Sequence, residues 1–162
     1  MGIQRFKTVL KYKASRDGWR AKDFHRMSDG KGPTIALYKI KNGSCIGGFT
    51  SAQWSSPSAV VDVIDPSALL FNLTLKTFFP CKSQQGGIRN MSDWGPTFGQ
   101  SELGVKEPFI GEKKCWSTAN GSVYKLEKDS EDKNNLTNEK SQHEKCFFTV
   151  TEIEVWEVLI NE

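Results

Sequence analysis

The chain has 162 residues, of which 37% are hydrophobic and 25% charged. That suits one compact domain able to bury roughly 70% of its unfolded surface, and a second domain does not fit comfortably. With no run of 18 apolar residues and no apolar stretch behind a basic start, neither a membrane span nor a secretory signal is expected, and a soluble cytoplasmic protein is. The formal net charge of +3 is uneven: residues 1–41 carry +8 and the remainder −5. A basic end can face an acidic partner, nucleic acid or lipid, but the basic residues are scattered, so a solvated face is the preferred reading and no nucleic acid is expected.

Met1-Gly2 opens as a myristoylation signal does, yet Phe6 stands where that motif needs serine or threonine. The stretch up to Lys11 fits a helical stripe or a first strand, and a strand from Val9 onward is preferred. Asp17-Gly18 is a turn dipeptide, after which Ala21, Phe24 and Met27 recur at a spacing of three and predict a short helix. Asp29-Gly30 caps it, and Gly32-Pro33 prevents its continuation because proline lacks an N–H and restricts the residue before it. Thr34–Ile40 is rich in β-branched and aromatic residues and reads as a strand. Asn42-Gly43 then predicts a type I′ hairpin into Cys45–Thr50. The adjacent Gly47 and Gly48 mark a bulge or the close approach of a bulky ring, for which Trp54 is the candidate.

Farther on, Ala59–Ile64 is a short apolar run of unclear role. Two buried strands are expected around a Thr-Leu-Lys turn, one over Ala68–Leu73 and one ending at Phe78-Phe79-Pro80. Gln85-Gly86-Gly87 opens a loop before Ile88. Gly95-Pro96-Thr97-Phe98-Gly99 forces an irregular approach to a strand, with Phe98 as its core anchor. Cys115–Leu126 suggests a hairpin around Asn120-Gly121. Residues 127–145 are almost wholly polar, with Leu136 the single sizeable apolar side chain, and composition predicts a mobile insertion. In the final run Ile153 and Val155 alternate with Glu152 and Glu154, but Trp156 and Val158 fall on the glutamates' phase. Either a bulge shifts the register or part of that strand is covered on both faces. By pattern alone the fold is mostly β, α+β in class, with antiparallel strands and one clear helix.

The ordered motifs Leu10-Lys11-Tyr12-Lys13-Ala14-Ser15-Arg16-Asp17-Gly18-Trp19, Asp23-Phe24-His25, Gly32-Pro33-Thr34, Gly47-Gly48-Phe49 and Trp54 resemble the opening of a TLDc domain. Gly95-Pro96-Thr97-Phe98-Gly99 and the closing Glu154-Val155-Trp156-Glu157-Val158 are similar to later parts of that family. The resemblance spans Leu10 to Ile160 apart from the polar insertion, and it departs from the family pattern at Gln100–Val105. It implies a two-sheet antiparallel β-sandwich with short flanking helices. It also implies a link to protection from oxidative stress, and in several members binding to the vacuolar-type proton ATPase and regulation of its assembly.

Chemistry finds little support in the residues. The four cysteines, Cys45, Cys81, Cys115 and Cys146, lack zinc or redox spacing and are expected to be reduced and mostly buried. His143 and Cys146 form an isolated pair, read as a surface histidine beside a packed thiol, so no metal and no cofactor is expected. Sequons at Asn42, Asn72, Asn90, Asn120 and Asn135 are read as asparagine in turns. No Gly-x-Ser-x-Gly elbow occurs, and His25 is assigned to packing or a backbone hydrogen bond. Gly30-Lys31-Gly32-Pro33-Thr34 lacks the Walker span and follows a helix, so it is read as a turn. Glu152, Glu154 and Glu157 are read as a wet strand face and not as paired acids. Trp19, Trp54 and Trp94 sit beside turns and are assigned to filling the space above Gly47-Gly48 and the loop entrances before partner contact.

The resulting expectation is a non-catalytic interaction domain, most specifically a regulator of the proton ATPase, with partner contact at the exposed edge of Arg16, Arg20 and Lys31. The alternative is a scaffold subunit of a ciliary or cytoskeletal assembly, its basic first third set against an acidic lattice such as tubulin. An enzyme using His25 as base is the third.

Overall fold

The computed structural model describes residues 6–82, 84, 86–119 and 121–160. The expectations that fall on Met1-Gly2, Gln85 and Asn120 lie outside these residues. The chain runs β1 (Phe6–Lys13), α1 (Ala14–Asp17), α2 (Ala21–Ser28), β2 (Thr34–Ile40), β3 (Cys45–Thr50), β4 (Val61–Val63), β5 (Leu69–Asn72) and β6 (Thr77–Pro80). It continues through β7 (Ile88–Asn90), β8 (Leu103–Val105), β9 (Cys115–Thr118), β10 (Lys145–Phe148) and β11 (Val150–Ile160). A six-stranded sheet in the order β1-β11-β2-β3-β5-β6 stands with a three-stranded sheet, β10-β9-β8, and a two-stranded one, β4-β7. Single bridges from Phe98 to Ile88 and to Leu103 connect the two smaller sheets. All strand pairs are antiparallel. The mostly-β fold with short helices stands as expected.

The core is aromatic. Tyr12 from β1, Phe24 from α2, Trp54 from the loop after β3 and Phe98 from the loop after β7 are each at most 1% exposed. They meet edge to face in a line, with centroid separations of 5.7, 5.6 and 5.6 Å, a geometry the ring quadrupole favours. Each polar tip has a partner: the Tyr12 hydroxyl donates to Gly18 O at 2.8 Å and the Trp54 indole to Thr34 Oγ1 at 2.9 Å. Tyr38, whose hydroxyl donates to the Pro96 carbonyl, carries the packing from β2 to Phe148 of β10.

Several local expectations are corrected. A Cβ on Gly48 would lie 2.6 Å from the Phe98 ring, and one on Gly47 would lie 1.9 Å from Ala36 O. The ring over Gly48 is therefore that of Phe98, with Trp54 edge to face behind it, while the ring nearest Gly47 is that of Phe71. The hairpin after β2 is not type I′. Gly43 alone has positive φ, its N–H donates to Ile40 O, and the Ile40 N–H donates to Ser44 O, which is a type I turn closed by a left-handed glycine. Ala14–Asp17 forms a helical turn that apolar spacing did not announce. On either side of Gly121 the described pairings lead elsewhere: β9 pairs with β8 and β10, and Val123 O accepts from the Lys82 N–H. β6 is largely exposed and not buried, Phe78 at 63%.

Residues 127–145, which composition assigned to a mobile insertion, are held at specific points. Leu136 is 0% exposed, its carbonyl accepts from Asn72 Nδ2 at 2.8 Å, and buried Asn134 donates to Ser117 Oγ at 3.1 Å. One apolar side chain and a few asparagine amides thus tie this polar stretch to β5 and β9.

Candidate functional site: the outer face of the six-stranded sheet

Strand alternation decides which side chains leave the core. On β2, Thr34, Ala36, Tyr38 and Ile40 are buried, so Ile35 and Leu37 point the other way, and they remain half-buried and apolar. On β3 the outward phase holds Phe49, on β5 Leu69 and Phe71, and on β6 Phe78. On β11 it holds Trp156. The pairing of β11 with β2 runs unbroken from Glu152 to Glu157, and the irregular points lie at Thr151 and, on β1, at Lys11. The phase conflict noted in the sequence is therefore not a register shift. Trp156 shares the outer face with Glu154, to whose carboxylate its indole donates at 3.0 Å.

These side chains line a groove of about 460 Å³ floored by Ile35, Leu37, Phe49 and Phe71 and walled by Leu73, Phe78 and Trp156. Among the described residues no ionisable side chain lines it. Beside it, Glu154 is 7% exposed and lies 3.4 Å from Lys13 Nζ and 3.9 Å from Lys39 Nζ, and Glu157 pairs with Lys11 at 2.7 Å. Glu154 and Glu157 are thus paired with lysines and are not free acids on a wet face, while Glu152 accepts from the Ser15 N–H at 3.1 Å. Leu73 at 45% and Phe78 at 63% exposure leave the groove open to solvent.

The residues expected at a partner edge sit elsewhere. Arg16 is bound by Asp17, with Nε at 3.0 Å and Nη2 at 2.8 Å from its carboxylate oxygens, and also donates to Lys11 O. Arg20 is the N-cap residue of α2, its N–H donating to Asp23 Oδ2 at 3.2 Å, whereas Lys31 lies in the turn beyond the helix's other end. Eight helical residues, roughly 12 Å of rise, therefore stand between Arg20 and Lys31. None of the three lines the groove.

His25 is 7% exposed and both ring nitrogens have partners: Nδ1 lies 2.7 Å from Asp29 Oδ1, and Nε2 lies 2.9 Å from Met91 O and 3.0 Å from Trp94 O. Its place is to clasp the loop at residues 91–94 onto α2. The cysteines form no disulfide. Burial pushes the thiols of Cys45, Cys115 and Cys146 upward, away from the reactive thiolate. His143 is exposed while Cys146 is buried against Thr137. Among the described residues no three metal-ligating side chains come together.

Two buried carboxylates fasten loops and differ in sign. Glu102, 0% exposed, accepts from the Val123 and Tyr124 N–H groups at 3.1 and 3.2 Å, and burial leaves its pKa raised. Burial acts on Asp65 in the same direction. Hydrogen bonds from Ser67, Thr50 and Ser51 outweigh it and bring that carboxyl to about 2. Glu102 lies within Gln100–Val105, where the sequence departs from the family pattern, and its role there is to fix the chain at Val123-Tyr124.

Sequence reasoning missed the groove. Its signal was present: β2 carries apolar residues in both phases at Ile35 and Leu37, and Trp156 breaks the last strand's alternation. No curated protein matches the chain. The model of the TLDc domain matches residues 2–159, nearly the whole length, and the chain belongs to the TLDc domain family.

Proposed function

We propose that this is a non-catalytic protein-interaction domain that receives a partner in the outer groove of its six-stranded sheet and acts in the cytoplasm as a regulator of vacuolar-type proton ATPase assembly. Family membership supports a non-catalytic domain linked to oxidation resistance. Burial that raises the thiols of Cys45, Cys115 and Cys146 makes direct chemistry at those three cysteines a poor explanation of that link. The observation that carries the interaction reading is the groove, open, apolar and, among the described residues, without an ionisable lining residue. Burying Phe78 and Leu73 under a partner removes from water surface that folding leaves exposed. Arg16, Arg20 and Lys31 would add a peripheral electrostatic contact.

The test is addition of purified protein in excess to pump subunits, followed by co-sedimentation and ATPase activity. Association together with altered assembly or activity is expected, and neither would defeat the proposal. The scaffold reading rests on the +8 balance of residues 1–41, and it would gain if deletion abolished a specific assembly while pump activity stayed unchanged. Lys11, Lys13 and Arg16 already have carboxylate partners, which weakens it.

A further inference from the structure

A second recess, lined by none of the groove's residues, opens beside β10. Trp94, Trp116 and Phe147 wall a volume of about 250 Å³ into which Lys106, Lys113 and Lys145 converge. The floor is rigid. Trp116 is 3% exposed, its indole donates to Ser101 O at 3.0 Å, and it meets Trp94 edge to face at 5.6 Å. Gly104 permits this, since a Cβ there would lie 2.6 Å from the Trp116 ring. The Lys145 ammonium stands 4.0 Å from the Trp116 centroid and 5.3 Å from that of Phe147, held over two ring faces by cation–π attraction.

Among the described residues the lining includes three cations and no carboxylate, and none of these lysines is in an ion pair within 4.0 Å. Ring faces offset only part of the charge. Desolvation, and then the charge of Lys106, lower the pKa of Lys145, as expected of an ammonium without a counter-ion. A small-molecule site commonly encloses roughly 300–1,000 Å³, so this volume suits a single side chain better than a cofactor. β10 is moreover an edge strand of its sheet, the position at which an extended segment can lie alongside.

We propose that this recess is a docking site for an acidic peptide segment of a partner protein, taking one carboxylate side chain between Lys106, Lys113 and Lys145 with an apolar neighbour against Phe147. The proposal is independent of the outer groove. It is tested on the whole chain with an acetylated heptapeptide alternating glutamate and phenylalanine, its glutamine counterpart, and inorganic phosphate, read by the indole N–H resonances of Trp94 and Trp116. The glutamate peptide is expected to shift both resonances, to bind at least about tenfold more tightly than the glutamine peptide, and to lose about tenfold in affinity in the Lys106→Ala/Lys145→Ala variant. These lysines are exposed, and the dispersion of the remaining resonances reports whether the variant is folded. Peptide binding indifferent to the lysines, no shift with the glutamate peptide, or shifts produced by phosphate and not by the peptide would each overturn the proposal, the last assigning a small-anion site.

Discussion

The two faces of the six-stranded sheet are built from similar residues and do opposite things. The inner face carries Tyr12, Tyr38, Ile46, Leu70 and Val155, all at 0% exposure, and packs against Phe24, Trp54 and Phe98. The outer face carries Ile35, Leu37, Phe49, Phe71 and Trp156, equally apolar, and among the described residues no other element covers them across the groove. Burial on the inner side stabilises the fold, whereas on the outer side Ile35, Leu37, Phe49 and Trp156 are half-buried and Leu73 and Phe78, at 45% and 63% exposure, stay largely in water. The difference teaches that hydrophobicity along these strands is not all spent on folding, and that substitutions on the two faces should separate stability from binding.

The largest separation is expected from Phe98→Ala. Phe98 fills the space left by Gly48 and joins the ring line, so its loss should cost about 3–5 kcal/mol in denaturant unfolding. Next is Leu136→Ala, which should cost about 2–4 kcal/mol and release hydrogen-exchange protection across residues 127–145. If that segment is already unprotected in the unaltered protein, its docking on the core is transient and the effect will be small.

The pH dependence follows from Asp65 and Glu102, the buried carboxylates that fasten loops. Asp65 has a folded-state pKa of about 2, below its unfolded value. Its contribution is therefore present above pH about 4 and is lost as pH falls from there toward 2, roughly 1–2 kcal/mol in an unfolding series, and it should be absent in Asp65→Asn. Glu102 is shifted upward and works in the opposite sense. Its contribution is full below its unfolded pKa and is lost as pH rises through the folded one, so Glu102→Gln should flatten that part of the profile.

Smaller still is the expected effect of the outer face on stability. Phe78→Ser should change unfolding free energy by no more than about 0.5 kcal/mol, since the ring is 63% exposed, while weakening partner association. Arg20→Glu with Lys31→Glu should reduce association by about threefold, an effect that disappears at high salt. Unchanged binding would remove this edge from the contact.

Much of the fold was legible because its signals are local. The helix at Ala21–Ser28, its stop at Asp29–Pro33 and the strands at Thr34–Ile40 and Cys45–Thr50 follow from apolar spacing, proline and the Asn-Gly turn. What could not be read depends on residues distant in sequence. That Phe98 and not Trp54 covers Gly48 is a matter of which loop crosses the sheet, and that Leu136 is buried depends on Asn72 and Ser117 receiving a polar segment. The groove is of this kind too. Apolar residues in both phases of β2 announce two covered faces or one covered face and one sticky face, and only the assembled sheet distinguishes them. The edge of Arg16, Arg20 and Lys31 follows in sequence from exposed basic residues beside turns, whereas the hold of Asp17 on the Arg16 guanidinium shows only in the folded chain.

The central claim, that the outer face binds and does not stabilise, is tested most directly by measuring unfolding and pump response on the same Leu73→Ser/Phe78→Ser variant. The prediction is an unfolding free energy within about 0.5 kcal/mol of the unaltered protein, together with loss of its effect on proton ATPase assembly and activity. A variant that unfolds much more easily, or one that still acts on the pump as the unaltered protein does, would contradict it.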